Sequence, residues 1–322
     1  MQSSGMSAIR GEDVAADSPV RYGFAGHETF PFRYPWLTKG VTGASERPDL
    51  FALDDAGVRL GVGKNMAKSI RHWCQALGLI EPVPGNRHGH VHVTALGEEL
   101  AREDGWDPYL EDPGTLWLLH WLLVSNPERA ATWHLAFTRW RGEPFRRDEL
   151  VEWLQRISSG SGTRRSTSAS LQRDVEVFTR TYAPARVARG QQPAEDTFDC
   201  PLVELGLLQE HGHERGQFSF VRGPKASLPT TILVYAIHDY WGRVARMQGT
   251  LSFDRLMYGV GSPGAAFKLS ENALATELER LPAWSGLRFD DTAGVRVLLR
   301  TVVPDDFERL TLLRRHYLGG GR

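Results

Sequence analysis

A chain of 322 residues with 41% hydrophobic and 10% aromatic side chains has material for a packed core of two or three domains. Charged residues at 24% exclude wholesale disorder, and 38 Lys+Arg against 39 Asp+Glu leave a net charge of −1, so global charge says nothing about nucleic acid. Two cysteines, Cys74 and Cys200, cannot build a disulfide framework or a cysteine zinc site, and no run approaches the roughly 18 apolar residues of a membrane span. The first 20 residues are polar and lack a signal-peptide core, so a cytoplasmic protein with a disordered leader over 1–20 and no membrane partner is expected.

From Arg21 to Gly40 the rings of Tyr22, Phe24, Phe30, Phe32, Tyr34 and Trp36 crowd together, too apolar for a mobile arm. Pro31 and Pro35 argue against a regular helix through the middle of this block. Within it Gly26, His27, Glu28 and Thr29 are polar groups that need partners if buried.

The stretch from Asp49 to Arg102 is the most legible. A short helix is expected over 54–60, opened by Asp54 and Asp55 as carboxylates suited to a helix N-terminus, and then a Gly61-Val62-Gly63 turn. The spacing predicts a longer helix over 64–77, in which Met66, Ile70, Trp73 and Leu77 form one apolar stripe. Lys64, Lys68, Arg71 and Gln75 repeat that spacing two residues earlier, about 200° round the helix. Gly78 can end the helix, Leu79-Ile80 reads as a strand, 83–93 as a hairpin turning near Pro84-Gly85-Asn86, and 94–102 as helix. Helix, turn, longer helix, hairpin is the order of a winged helix-turn-helix, which lays its second helix in the DNA major groove. Lys64, Asn65, Lys68 and Arg71 would face that groove, with Arg87, His88 and His90 of the wing on flanking backbone. Winged helices also serve protein pairing, so that alternative stays open.

Next, 114–123 and 129–140 read as buried central helices, with His120 and His134 as hydrogen-bonded core histidines. A second three-part pattern begins at Arg146. It comprises an amphipathic helix over 147–157, a Ser/Gly/Arg loop over 158–168, and a helix over 170–182 burying Leu171, Val175, Phe178 and Tyr182. Arg173 and Arg180 stand opposite that stripe, interrupted by Glu176, and a hairpin over 207–221 carries His211, Gly212 and His213. Between Arg156 and Arg189 seven arginines face two acids, Asp174 and Glu176, the footprint of a polyanion site or else a solvated loop. Helices follow over 229–246, 270–281 and 305–317, with a strand over 296–303. The fold expected is mainly α (α+β). Residues 21–105 hold the aromatic block and a winged-helix module, 106–145 a central helical connector, 146–225 a degenerate second winged helix, and 226–322 a helical and small α+β part.

Gly61-Val62-Gly63-Lys64-Asn65 suggests a phosphate loop but fails the Walker pattern, which needs glycine where Val58 stands and Ser or Thr at Asn65. No nucleotide cofactor is therefore expected. His88, His90 and His92 alternate on the expected strand and would share a face, but no acid lies close in sequence, and phosphate or solvent contact is the simpler role. A metal-dependent nuclease needs clustered carboxylates; the local candidates are His27 with Glu28, and Asp54 with Asp55, and neither forms a nuclease motif.

The stretches Phe24-Ala-Gly-His-Glu-Thr-Phe-Pro-Phe-Arg-Tyr34, Val58-Arg-Leu-Gly-Val-Gly-Lys-Asn-Met66 and Ser69-Ile-Arg-His-Trp73 resemble the SspB-like family of bacterial single-stranded DNA phosphorothioation defence systems. The resemblance is sharp over residues 22–100. It implies a DNA-nicking component that works beside a cysteine desulfurase, an ATP pyrophosphatase and a further ATPase to replace a backbone phosphate oxygen with sulfur. It transfers no catalytic residue. The expectation is thus a DNA-binding protein that nicks one strand. Arg87, His88, Arg164, Arg165 and Arg173 would hold phosphates, His27 and Glu28 would activate water or metal, and magnesium or manganese would serve the cleavage. The alternative is a non-catalytic DNA-binding adaptor or regulator that recruits the sulfur-transfer enzymes.

Overall fold

The computed structural model describes residues 21–86, 88–160, 166–184, 200–211, 216–292, 294–301 and 306–319. The expected leader over 1–20 and the residues Arg87, Arg164, Arg165, Gly212 and His213 lie outside the described residues. The molecule is mainly helical with small antiparallel sheets, the α+β class expected.

The aromatic block yields a helix where none was expected, α1 over Tyr34–Glu46. Pro35 falls in its first turn, where a missing N–H leaves no hydrogen bond unmade, so the proline that argued against a helix begins one. Helix α1 buries Trp36, Leu37, Val41 and Ala44. Gly40 lets it approach the next long helix closely: a Cβ there would lie 2.5 Å from Cys74 Sγ.

Helices α2 (Ala56–Leu60) and α3 (Lys64–Ala76) follow, joined by the expected glycine turn. Ile70, Trp73 and Leu77 are buried and Met66 packs against the core, while Gly78 adopts φ 66 just past the helix end. Strands β1 (Ile80–Pro82) and β2 (Val91–Val93) pair antiparallel, Ile80 opposite Val93 and Pro82 opposite Val91. Thr94 caps α4 (Ala95–Ala101), its side chain accepting from Gly97 N at 3.0 Å. The hairpin strands are shorter than the 83–93 reading. His88 and His90 sit in the loop and only His92 in β2, so the three histidines do not share a strand face.

Helices α5 (Pro113–Val124) and α6 (Ala131–Thr138) are apolar on nearly every side and fill the middle of the molecule. His120 joins two buried partners: Nε2 donates to Ala266 O at 2.9 Å and Nδ1 accepts from the Tyr182 hydroxyl at 2.8 Å. His134 Nδ1 donates to Val124 O at 2.8 Å, so both histidines are satisfied core groups as expected.

Strand β3 (Phe145–Arg146), unforeseen in the sequence, precedes α7 (Arg147–Gly160) and α8 (Ser168–Tyr182). Strands β4 (Leu208–Glu210) and β5 (Gln217–Phe220) form the expected hairpin, and β3 adds to it in the order β3-β5-β4. Two residues of β3 are too few to show a period. The remainder comprises α9 (Thr230–Val244), β6 (Thr250–Ser252), α10 (Phe253–Tyr258), α11 (Pro263–Ala266), α12 (Glu271–Glu279), β7 (Leu287–Thr292), β8 (Val295–Arg300) and α13 (Asp306–Leu318). Its sheet runs β6-β8-β7, and one buried cluster joins Phe32 near the beginning to Leu313 near the end. Among the described residues no helix is long and apolar enough to cross a membrane.

Candidate nucleic-acid interface

The loop over 25–28 is where α3, α6 and α8 meet. Ala25, Gly26 and Glu28 have φ of 66°, 101° and 56°, all left-handed. For alanine and glutamate that conformation costs about 1–2 kcal/mol each, so something must hold it.

Asp174 of α8, only 1% exposed, is the main holder. Its Oδ1 accepts from Ala25 N–H at 2.8 Å and from His27 Nε2–H at 2.8 Å, and its Oδ2 accepts from Thr132 Oγ1 of α6 at 2.9 Å. Helix α3 holds the loop from the other side: Ser69 Oγ donates to His27 O and Trp73 Nε1 to Phe30 O, each at 3.0 Å. The His27 ring lies among His72, Trp73 and Trp133, with centroids 5.7–5.9 Å away. A Cβ on Gly26 would come within 2.5 Å of His72 Nδ1, so this position requires glycine by space as well as by φ. Burial, helped by the neighbouring His27 and Arg129 charges, pushes the His72 pKa down to about 3.

His27 and Glu28 therefore diverge. His27 points into the core towards Asp174, whereas Glu28 reaches the surface of α3, 3.5 Å from Lys68 Nζ. That surface carries the residues singled out in the sequence. Lys64, Asn65 and Lys68 are exposed, and Arg71 is half-buried with NH2 donating to Gly89 O in the hairpin loop at 3.4 Å. Burial and the Arg129 charge lower the Arg71 pKa from its ordinary value. Lys64, Lys68, Arg71 and Asp54 line a cleft of about 300 Å³ between 51–57 and α3. Lys64, Lys68 and Arg71 outnumber Asp54 in the lining and Glu28 beside Lys68, so the concave site keeps a positive bias towards an anion.

His88 is exposed beside this face, its backbone N–H donating to Asn86 Oδ1 at 2.7 Å. On α8, Arg173 is exposed with Nε donating to Ala169 O at 3.2 Å, and Arg180 reaches Thr29 O at 3.5 Å. Both helices thus abut one loop, α3 by its lysine side and α8 by its acid and arginine. Asp55 pairs instead with Arg59, its neighbour one turn on. Among the described residues no three His, Cys, Asp or Glu side chains cluster as a ligand set, so His88, His90 and His92 form none.

Asp174, Thr132, His72 and Trp133 were not singled out as site residues by their sequence. Only Asp174 left a usable sign: its position, three before Val177 and four before Phe178, puts it beside the apolar stripe of α8.

Over residues 24–317 the chain matches the family described as protein of unknown function, DUF4007. Two solved structures are similar at 36% identity, each alignment covering 92% of this chain and 88% of the other: an SspB crystal structure at a TM-score of 0.82 and a magnesium ion-bound SspB crystal structure at 0.83. A search of curated proteins gives no match.

Proposed function

Because the chain belongs to the DUF4007 family and is homologous to SspB, we propose that it is the DNA-binding component of a DNA backbone phosphorothioation system and that it nicks one strand. The observation that carries this reading is the outward face of α3, with Lys64, Lys68 and Arg71 lining a cleft that holds one acid. A half-buried guanidinium with a backbone carbonyl as its contact is poised for an anion, and phosphate is the anion a guanidinium fits in two-pronged geometry.

In this reading residues 21–105 and 146–225 are winged-helix modules, 106–145 connects them, and 226–322 is the C-terminal part. Helix α3 enters the major groove with Lys64, Asn65, Lys68 and Arg71, and His88 and Arg87 of the β1–β2 loop rest on flanking phosphates. Arg173, with Arg164 and Arg165 before α8, supplies the second set of phosphate contacts. The cysteine desulfurase, ATP pyrophosphatase and ATPase of the same system are the protein partners this assignment implies.

For the nicking step Glu28 is the group at the DNA face, and its left-handed backbone matches the strain that functional sites store. His27 is then a positioning residue: bonded to Asp174, it fixes the loop and so the direction of Glu28. Among the described residues no three acids or histidines cluster as a ready-made magnesium cage at this face. The same scarcity of carboxylates favours the second reading, a non-catalytic adaptor or regulator.

Supercoiled plasmid incubated with magnesium or manganese, with and without EDTA, separates the two. Wild-type protein is expected to give open circles that EDTA prevents, Glu28→Gln to bind without cutting, and Lys64→Ala/Lys68→Ala to do neither. Binding without conversion by purified wild-type protein would leave the adaptor. Affinity that does not fall with salt would remove DNA binding altogether, since several phosphate contacts impose a steep loss.

A further inference from the structure

Beside the cationic cleft lies a larger hollow of different chemistry, about 950 Å³. One side is the start of α1, with Tyr34 and Trp36, and the other is α2 and its turn, with Gly57, Val58 and Gly63; Met66 of α3 also lines it. Among the described residues Arg33 is the charged residue of the lining, its guanidinium 5.5 Å from the Trp36 ring centroid. The two hollows share Gly57, and Gly63 of the larger directly precedes Lys64 of the smaller. Val58 stands 83% exposed at this hollow, an apolar side chain in open water. At Gly63 a Cβ would meet nothing within 4 Å, so the turn leaves the space beside α3 open.

We infer that this hollow takes an unstacked nucleobase from the strand whose phosphates lie in the cationic cleft. The inference rests on the DNA-binding reading above. A fitting ligand carries a planar apolar body next to an anion, because the apolar hollow adjoins the cleft lined by Lys64, Lys68 and Arg71 across Gly57 and the Gly63–Lys64 turn. A nucleotide has that build. Aromatic rings and an arginine plane are the surfaces on which extruded or single-stranded bases stack, and stacking tolerates any base because each has a π-face. Tyr34 is placed for this role by its hydroxyl, which donates to Glu204 and braces the ring from the other helical unit. An apolar protein segment would fill the hollow but make no use of the cations unless it were acidic; that occupant is an outcome of the test.

The experiment measures affinity for single-stranded and duplex oligonucleotides in which one nucleotide at a time is made abasic. One abasic position is expected to weaken binding by roughly 5- to 150-fold, the range that base–aromatic stacking supplies. Val58→Trp, at an exposed position, should obstruct the hollow and reduce that penalty while keeping the salt dependence. Tyr34→Phe should retain the penalty and Tyr34→Ala reduce it, which separates stacking from the bracing hydrogen bond. Salt-dependent binding indifferent to every abasic position would overturn the nucleobase site and leave the DNA reading intact. Binding that does not depend on salt would overturn both. Val58→Trp blocking an acidic apolar peptide while the abasic profile stays flat would assign the hollow to a protein partner instead.

Discussion

The two helix–helix–hairpin units, α2–α3–β1–β2 and α7–α8–β4–β5, share an order of elements but use their charges in opposite directions. In the first, the polar side of α3 faces outward: Lys64 is exposed, Lys68 is exposed beside Glu28, and Arg71 donates to a loop carbonyl. In the second, Arg173 is likewise exposed, but Asp174, Arg180 and Arg147 are turned to the protein itself. Asp174 is buried under three hydrogen bonds, Arg180 holds Thr29, and Arg147 bonds Thr179 Oγ1 at 3.0 Å while lying 5.2 Å from the Phe218 ring centroid. The exposed lysines of α3 thus contrast with the matched donors and acceptors around Asp174. The second unit thus supports the first, and loop 25–28 is the joint between them.

The sharpest way to break that contrast is to empty the joint. Asp174→Ala strands the Ala25 N–H, the His27 Nε2–H and the Thr132 hydroxyl in the core, and should destabilise the protein by about 3–5 kcal/mol. Lys68→Ala, which loses one exposed pair with Glu28, should move stability by less than about 1 kcal/mol. Urea unfolding of the two variants beside wild type reads both effects. Equal losses would mean that the units do not divide the work in this way.

Much of the first unit was legible because its information is local. The stripe Met66, Ile70, Trp73, Leu77 and the stop at Gly78 state a helix within one window, and the structure places α3 within a residue of that reading. Helix α1 was hidden because a proline weighs against a helix unless its first-turn position is known, and that position depends on where the chain turns. The joint was hidden for a different reason. Asp174 and His27 are 147 residues apart, and no periodicity reports a pairing at that distance. Read along α8 the acid looked like an offset to arginine charge, although its place beside Leu171 and Phe178 marks the buried side. The pair His27-Glu28 was picked out as polar and unexplained, yet adjacency in sequence hid that the two side chains part company, because a left-handed residue reverses the direction of the chain.

A smaller effect sharpens the contrast from the C-terminal part where it packs on the second unit. Lys268 is fully buried, with Nζ donating to Phe137 O at 2.6 Å and lying 3.9 Å from the ring centroid of Phe220 in β5. Burial holds its pKa well below the ordinary lysine value. The unfolded chain therefore keeps this proton to higher pH than the folded one. Its contribution is most favourable above the ordinary lysine pKa near 10.4 and is lost as pH falls towards the depressed folded value. Lys268→Met should flatten the rise in stability between pH 7 and 10. Denaturant midpoints across that range measure it; parallel curves for variant and wild type would show that Lys268 does not titrate in the window.

The smallest expected effect bears on the first unit's purpose. Glu28 adopts φ 56°, which glycine occupies without a steric penalty, so Glu28→Gly should relieve about 1 kcal/mol of backbone strain. Against this stands the loss of one half-exposed pair with Lys68, within about 1 kcal/mol, and the greater freedom glycine gains on unfolding. Stability should consequently change by less than about 1 kcal/mol in either direction, a near cancellation that urea unfolding can resolve against Asp174→Ala. Activity should not cancel. If the strained loop exists to present a carboxylate at the DNA face, Glu28→Gly is expected to leave DNA affinity within a few fold and to abolish plasmid nicking. A variant that folds equally well, binds equally well and still nicks would show that the loop's strain serves only the joint, and that the outward face of α3 binds DNA without Glu28 taking part in cleavage.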